Sequence, residues 1–343
     1  MCVVERCAEL CRQAPQRIVF PDTLDERLFQ AVARLREEGL AEPVLVGNPM
    51  QVRDAAMDCG VPLLGLRCVD PFNQSVLEQN AEELIRIAAA RGNPLSRQEA
   101  LEAARQPLNA AGLMLRRGDA DIGVAGNLSR TADVLRTGLK LIGTSPGTKT
   151  VFSVFFLIPP DEQQVFVFAD CSVIPEPTPE QLADVTMGSA KALRDIMDKD
   201  PRVAMLSFST KGSAEHPRVT RVREALAIVQ QRDPALIVDG ELQFDAAVAP
   251  EVAVRKAPES PVGGRANVFI FPSVEAGNIS YKVAQRLGGY AALGPFLVGF
   301  DKGWHDLSRG CSADDIFKVS VVGTGLAFSG IPHTADPNDN HTT

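Results

Sequence analysis

Several features are scarce in this sequence, and each scarcity excludes something. No apolar run among the 343 residues reaches the length of a bilayer-spanning helix, so no membrane partner is expected. Met1 to Arg12 lacks the basic start and apolar centre of a signal peptide. Its pattern of Val3, Val4, Cys7, Leu10 and Cys11 is that of an amphipathic helix. Only four histidines are present, too few and too dispersed for a histidine-rich metal site. The seven cysteines, at 2, 7, 11, 59, 68, 171 and 311, form no disulfide framework and point to free thiols in a reducing cytoplasm. Cys7 and Cys11 share a helix face with no histidine nearby, so burial rather than zinc is the reading there. The net charge is −8 and no basic stripe stands out, which argues against nucleic acid. No G-x-G-x-x-G follows the first strand, and no G-x-x-x-x-G-K-[ST] occurs.

What is present is an ordinary balance, 45% hydrophobic and 23% charged, in a chain long enough for two domains. Arg17 to Pro21, Glu42 to Gly47 and Leu66 to Val69 read as buried strands. They alternate with helices from Thr23 to Gly39, Met50 to Cys59 and Gln74 to Arg91. This β-α alternation predicts a parallel sheet wrapped by helices. Ser96 to Glu99 is a capping box. A helix from Leu108 to Arg117 then leads into a strand over Asp121 to Gly126. The pattern changes near Gly143. Val151 to Ile158 and Gln164 to Asp170 predict an antiparallel pair, and Thr178, Pro179 and Gln181 open a long helix. Alternation resumes with strands at Arg202 to Phe208, Leu236 to Asp239 and Asn267 to Phe271. The expected organisation is an α/β domain from 1–143 plus 294–328, with a second α/β domain over 144–293 inserted into it. The polar tail 329–343 is expected to be disordered.

Candidate chemistry gathers at strand ends. His305-Asp306-Leu307-Ser308-Arg309-Gly310-Cys311-Ser312-Ala313-Asp314-Asp315 packs a hydroxyl, a guanidinium, a thiol and carboxylates around one glycine. Ser312 can cap the following helix, with Asp315 in its first turn, so the stretch reads either as a capped helix with an ion pair or as a site. Asn127-Leu128-Ser129-Arg130-Thr131 follows a strand and opens a helix carrying Arg136; it suits an anion, or is a plain cap. Ser207 to Ser213 holds hydroxyls, a lysine and a glycine that could cradle phosphate. Phe271 to Ile279 leads from a strand into a helix, with Tyr281 and Lys282 one turn on. The acids Asp239, Glu241 and Asp245 read as helix-start residues rather than magnesium ligands.

Taken together these segments resemble the phosphate acetyltransferase family. The resemblance rests on Ala204 to Ser209, Gly240 to Ala247, Lys256-Ala257-Pro258, Ala266 to Pro272, Gly277 to Lys282 and Asp306 to Ser312, and runs in order from about Pro15 to Phe328. Glu5 to Leu10, Ala125 to Ser129 and His305 before Asp306 are most similar to the ethanolamine-utilisation type. The resemblance implies a fold of two α/β domains related to isocitrate and isopropylmalate dehydrogenases, with the active site in the cleft and a homodimer as the usual assembly. It implies reversible acetyl transfer between coenzyme A, as substrate, and phosphate, with no tightly bound cofactor. For the ethanolamine type it also implies association with a bacterial microcompartment. The family's serine and arginine fall on Ser308 and Arg309, its aspartate on Asp315, and a substrate-binding arginine on Arg136. A further family arginine is matched by alanine within Ile85 to Gly92, which leaves Arg86 or Arg91 to share its role.

The residue types fit that chemistry. A thiol with a pKa near ~8.5 must become thiolate to attack acetyl phosphate, and Asp315 is the candidate base. Arg309 would stabilise the charge developing on the carbonyl oxygen, Arg136 would grip phosphate, and Ser308 would bind acetyl phosphate. Ser129, Thr131, Ser207, Ser209, Tyr281 and Lys282 are further substrate-binding candidates. Cys171 and Cys311 line the cleft, with an acetyl-cysteine route as the alternative to direct transfer. Phosphate butyryltransferase activity, an NAD-dependent dehydrogenase on the related fold, and a non-catalytic binding protein are the competing functions.

Overall fold

The computed structural model describes residues 3–61 and 65–328, so the expected tail 329–343 lies outside the described residues. Eleven strands and thirteen α-helices occur among them, distributed over two sheets. In the first sheet β1 (Gln16–Phe20) is central, with β2 (Ala41–Val46) and β3 (Arg67–Val69) to one side and β4 (Ile122–Ala125) to the other. All its pairings are parallel, and the β1 and β4 cores (Ile18, Val19, Phe20, Ile122, Val124) are buried, as a sheet covered on both faces requires.

The second sheet contains β5 (Phe152–Ile158), β6 (Phe166–Ala169), β7 (Arg202–Leu206), β8 (Ile237–Leu242), β9 (Val268–Ile270) and β10 (Ala291–Val298), in the order β10-β5-β6-β9-β7-β8. β5 runs antiparallel to both β6 and β10, and the remaining pairs are parallel. The second sheet therefore continues to Val298, past residue 293. The chain then returns to the first sheet as β11 (Gly303–Asp306), parallel to β4. The two crossings lie side by side: Ser145 N donates to Gly299 O at 2.9 Å, and Asp301 N to Gly143 O at 3.1 Å.

Local chemistry sets the element ends. Thr23 does not open the first long helix; Asp25 caps it by accepting from Arg27 N, and the helix spans Glu26–Glu37. Asn48 and Asn73 cap the next two helices, and capping boxes form at Ser96–Glu99 and Thr178–Gln181. The helix Ala313–Phe328 is apolar nearly all round, which suits its position between the sheets. It packs on the helices Val3–Gln13, Glu26–Glu37 and Pro179–Met197 and on β4, β10 and β11. Its Ile316, Phe317 and Val322 belong to one apolar cluster reaching both sheets, and burying each such side chain is worth ~1.5–3 kcal/mol. Cys7 and Cys11 are buried in the same seam, where the Cys11 thiol donates to Val321 O.

Alternation along β11 sends successive side chains to opposite faces. Trp304 is fully buried and donates from Nε1 to Val134 O at 2.9 Å. His305 faces the core, edge-on to Phe296, and burial pushes its pKa down to about 4, so its ring is neutral. Asp306 ends the strand, also buried. Among the described residues no helix is long and apolar enough to cross a membrane.

Candidate active site

The order of the first sheet decides where a site can form. The chain builds β1, β2 and β3 outward, then crosses back to lay β4 and finally β11 on the other side of β1. Loops leaving the carboxyl ends of β1 and β4 diverge, and such a switch point opens a crevice for ligands. Three loops meet there: Asp22 to Arg27 after β1, Gly126 to Thr131 after β4, and Leu307 to Ser312 after β11.

Arg27 ties them together. Its Nη1 donates to Arg309 O at 2.9 Å and to Cys311 O at 2.7 Å, and its Nη2 donates to Asn127 O at 3.2 Å. Asp25 anchors the guanidinium, accepting from Nε at 3.0 Å and from Nη2 at 2.7 Å. Burial disfavours charge on Asp25, but hydrogen bonds from Arg27 and Asn127 prevail and lower its pKa. Asn127 in turn donates to Asp22 O at 3.0 Å and to Asp25 Oδ2 at 2.9 Å. Asp22 holds the β4 loop: its carboxylate accepts from the Gly126, Leu128 and Ser129 amides and from the Ser129 hydroxyl at 2.6 Å. Gly126 is obligatory there, with φ +102° and no room for a Cβ beside the Asp306 carboxyl and Leu307.

The turn thus fixed presents its polar groups outward. Ser308 is exposed; its hydroxyl oxygen accepts from Gly310 N at 3.2 Å, which leaves its proton to point at a ligand. Arg309 is exposed, and its guanidinium has no ion-pair partner among the described residues. Cys311 is buried, and burial raises its thiol pKa to about 11. Asp315 closes a capping box with Ser312: its Oδ2 accepts from the Ser312 amide and hydroxyl, both at 2.8 Å, while its own amide donates to Ser312 Oγ at 3.1 Å. Arg34 and Lys318 pair with Asp314 rather than Asp315, and Asp315 keeps one oxygen uncommitted. Thr131 is the first residue of its helix, and Arg136 is exposed on that helix in an ion pair with Asp133 at 2.6 Å. Arg91 donates to Leu139 O at 3.1 Å, on the segment following Arg136.

The second unit contributes a different patch. Cys171 follows β6, fully buried, its amide donating to Ser153 Oγ at 3.0 Å. Burial raises its thiol pKa well above the ordinary value. Gly277 packs directly on it, and Asn278 Nδ2 donates to Cys171 O at 3.0 Å. Lys282 Nζ donates to Asn278 Oδ1 at 2.8 Å, and Tyr281 stacks on Phe155 with ring centroids 4.2 Å apart. Cys171, Tyr281 and Lys282 therefore share one locality. Ser207 and Ser209 lie elsewhere, in the loop that follows β7. Ser207 is half-buried, whereas Ser209 is fully buried and donates to Glu241 Oε1 at 2.8 Å. Burial opposes charge on Glu241, yet Arg223, the Gly212 amide and Ser209 hold its pKa down at about 2. A cleft of ≈ 1390 Å³ opens at the opposite, amino ends of the first sheet, beside Gln16, Ile122 and Gly303. None of the residues proposed for catalysis or substrate binding lines it, and its lining mixes charges of both signs, with Lys191 paired to Asp195 and Arg232 to Asp184. The carboxyl-edge loops are where the predicted reactive groups Ser308, Arg309 and Asp315 stand together.

Asp22, Asp25 and Arg27 escape a sequence reading that sees only a helix start in that segment. Their signal is positional: like Asn127 to Thr131, Pro21-Asp22-Thr23-Leu24-Asp25 is a polar loop at the carboxyl end of a parallel strand.

An α/β protein with an unpaired arginine, a free hydroxyl and an uncommitted carboxylate at a switch-point crevice is built to handle an anionic substrate. The chain matches the model described as phosphate acetyl/butaryl transferase over residues 2–324, and it belongs to that family. It is 40% identical over 313 residues to the phosphate acetyltransferase of Bacillus subtilis (strain 168), covering 91% of this chain and 95% of the relative. Among solved structures it is similar to a phosphotransacetylase from Streptococcus pyogenes (TM-score 0.90, 38% identity, 95% and 98% of the two chains). It is also similar to the EutD phosphotransacetylase from Staphylococcus aureus (TM-score 0.86, 35% identity, 95% and 98%).

Removing the Arg27 fork should free the loops it joins. In Arg27→Ala, amide hydrogen exchange over residues 126–129 and 308–312 should quicken by an order of magnitude or more, since each hydrogen bond to a charged group is worth ~1.5–3 kcal/mol. Unchanged exchange in those two loops of a folded variant would show that Arg27 does not hold them.

Proposed function

We propose that this chain is a phosphate acetyltransferase, moving acetyl reversibly between coenzyme A and inorganic phosphate by direct attack in a ternary complex. The observation that carries this reading is the Ser308 to Asp315 turn, where a free guanidinium, an outward hydroxyl and a carboxylate with one open oxygen stand within eight residues. In the direction that consumes acetyl phosphate and forms acetyl-CoA, Asp315 takes the coenzyme A thiol proton. The thiolate attacks the acetyl carbon, the bond from that carbon to the phosphate oxygen breaks, and phosphate leaves with the electron pair. Arg309 stabilises the carbonyl oxygen as it gains charge, and Ser308 hydrogen-bonds acetyl phosphate. Arg136 exchanges Asp133 for phosphate, helped by Thr131 beside the Ser129 turn. Tyr281, Lys282 and Ser207 are the second unit's remaining substrate-binding candidates, whereas Cys171 and Ser209 are fully buried and lie behind its surface.

The thiols support direct transfer over an acetyl-cysteine route. Burial keeps both Cys311 and Cys171 protonated at neutral pH, and a thiol is a poor nucleophile. Coenzyme A enters as substrate, and the scheme needs no bound cofactor. Acyl length is the open alternative, because one methylene is worth only ~1–3 kcal/mol in a pocket; rates on acetyl-, propionyl- and butyryl-CoA separate acetyl from butyryl transfer.

The assembly we infer is a homodimer. The helix Val274–Leu287 buries only Gly277 and exposes Ile279, Val283 and Leu287 at 58%, 50% and 85%, an apolar stripe of three residues at i, i+4 and i+8 that a second copy would cover. The cytoplasm is the location we assign, extended through the ethanolamine-type resemblance to a bacterial microcompartment.

Thiol release from acetyl-CoA on adding phosphate tests the activity. Arg309→Lys should lower kcat ~10²–10³-fold, because lysine keeps the charge but not the planar fork; near-normal turnover in a folded variant removes Arg309 from the chemistry. Sedimentation should find a dimer that Val283→Glu dissociates, and a monomeric wild type would refute the assembly.

A further inference from the structure

Arg130 takes no part in the acetyl-transfer scheme, and it is out of place at a helix end. It occupies the position that opens the helix Thr131–Thr137, where Ser, Thr, Asn or Asp are favoured, and its side chain makes no capping hydrogen bond. A cation there also opposes the positive end of the helix dipole. Arg130 is exposed, and its guanidinium has no ion-pair partner among the described residues. A residue that breaks a local rule without a structural return is expected at a functional site.

The loop that carries Arg130 has little else to offer an anion. Asp22 already accepts from the amides of Gly126, Leu128 and Ser129 and takes the Ser129 hydroxyl hydrogen. Ser129 therefore cannot donate to a ligand while that clamp holds. Asp22 is buried and has no ion-pair partner among the described residues, so an anion reaching this loop meets a negative charge behind it. Further along, Arg136 is paired with Asp133 at 2.6 Å. Those two and Arg130 are the charged side chains of residues 126–137, so the net positive charge of the segment rests on Arg130.

Backbone contacts place this segment beside the Ser308 to Asp315 turn. The Arg27 fork holds Asn127 O, three residues before Arg130, together with the carbonyls of Arg309 and Cys311. Leu307 N donates to Ala125 O at 2.7 Å, joining the same two loops again. Two unpaired guanidiniums, Arg130 and Arg309, thus stand on loops fastened to each other. We propose that Arg130 is a substrate-binding residue that takes the phosphate group of acetyl phosphate, while Arg309 serves the carbonyl oxygen. A guanidinium pairs bidentately with phosphate oxygens. Arg130 releases no partner to do so, whereas Arg136 has to give up Asp133 first.

This inference rests on the acetyl phosphate reading, and binding measured without turnover separates the two. In calorimetry of acetyl phosphate without coenzyme A, Arg130→Gln should raise Kd roughly tenfold, the scale of one hydrogen bond to a charged group. Coenzyme A titrated alone should bind wild type and variant alike. Arg130→Lys, which keeps the charge but not the fork, should fall between them. Arg12→Gln removes an exposed cation from the helix Val3–Gln13 and should leave Kd unchanged. An acetyl phosphate Kd unaltered in Arg130→Gln would overturn the proposal. So would a loss confined to coenzyme A, or an equal loss in Arg12→Gln, which would reduce the effect to net charge. Should Arg130→Gln fail to fold, a wild-type Kd in Arg130→Lys would overturn it as decisively. Arg130-dependent binding of acetyl phosphate by a protein without acetyl transfer would refute the proposed function and leave this inference standing.

Discussion

The Arg27 guanidinium sits where three loops, distant in sequence, have to meet. Its contacts to Arg309 and Cys311 span 282 and 284 residues of chain, and all are to backbone carbonyls. A planar fork with five donors can serve Asp25 on one edge and three carbonyls on the others; an ammonium on a flexible stem cannot match that geometry. The Ser308 to Cys311 turn consequently has its backbone directions set from below. Its side chains, Ser308 and Arg309, are left to face outward. Asp22 does the same for the β4 loop from the opposite charge, gathering three amides and the Ser129 hydroxyl. The site is thus a pair of complementary clamps, a cation holding carbonyls and an anion holding amides, both rooted in the loop after β1.

The parallel sheet makes those clamps possible. β1 is central, so its following loop borders the loops of β4 and β11 on one side. The apolar helix Ala313–Phe328 begins immediately after the turn and is buried against both sheets. Asp315 is held at its start, so the carboxylate that would act as base is fixed by the same packing that joins the two units. The buried thiols nearby are uncharged at neutral pH, because burial keeps Cys171 and Cys311 protonated. Arg309 and Asp315 are exposed on the turn itself.

Much of this was legible in the sequence, for physical reasons that differ by element. Capping boxes at Ser96, Thr178 and Ser312 are local, and each forms as its spacing implies. The antiparallel pair β5 and β6 follows from two apolar runs around Pro159-Pro160-Asp161. β10 and β11 were not legible. Leu293-Gly294-Pro295 breaks the alternation of β10 with a register shift, and the four residues of β11 include a histidine and an aspartate that read as polar loop. Arg27 was hidden because its partners are backbone atoms, which no residue pattern marks. Ser209 shows the converse limit: a hydroxyl-rich loop has one composition whether its hydroxyls face a ligand or, as Ser209 does, a buried Glu241.

The account's central claim is that the turn fixed by Arg27 performs proton transfer through Asp315, which also has a purely structural explanation as the partner of Ser312. The dependence of kcat on pH for wild type and Asp315→Asn, with thermal melts as the folding control, separates these most directly. As the base, Asp315→Asn should collapse kcat at neutral pH with substrate KM values little changed. The deficit should shrink as pH approaches the thiol pKa near ~8.5, where thiolate forms unaided. Turnover unchanged at every pH, with at most ~1 kcal/mol of stability lost, would reduce Asp315 to a helix cap and contradict the account.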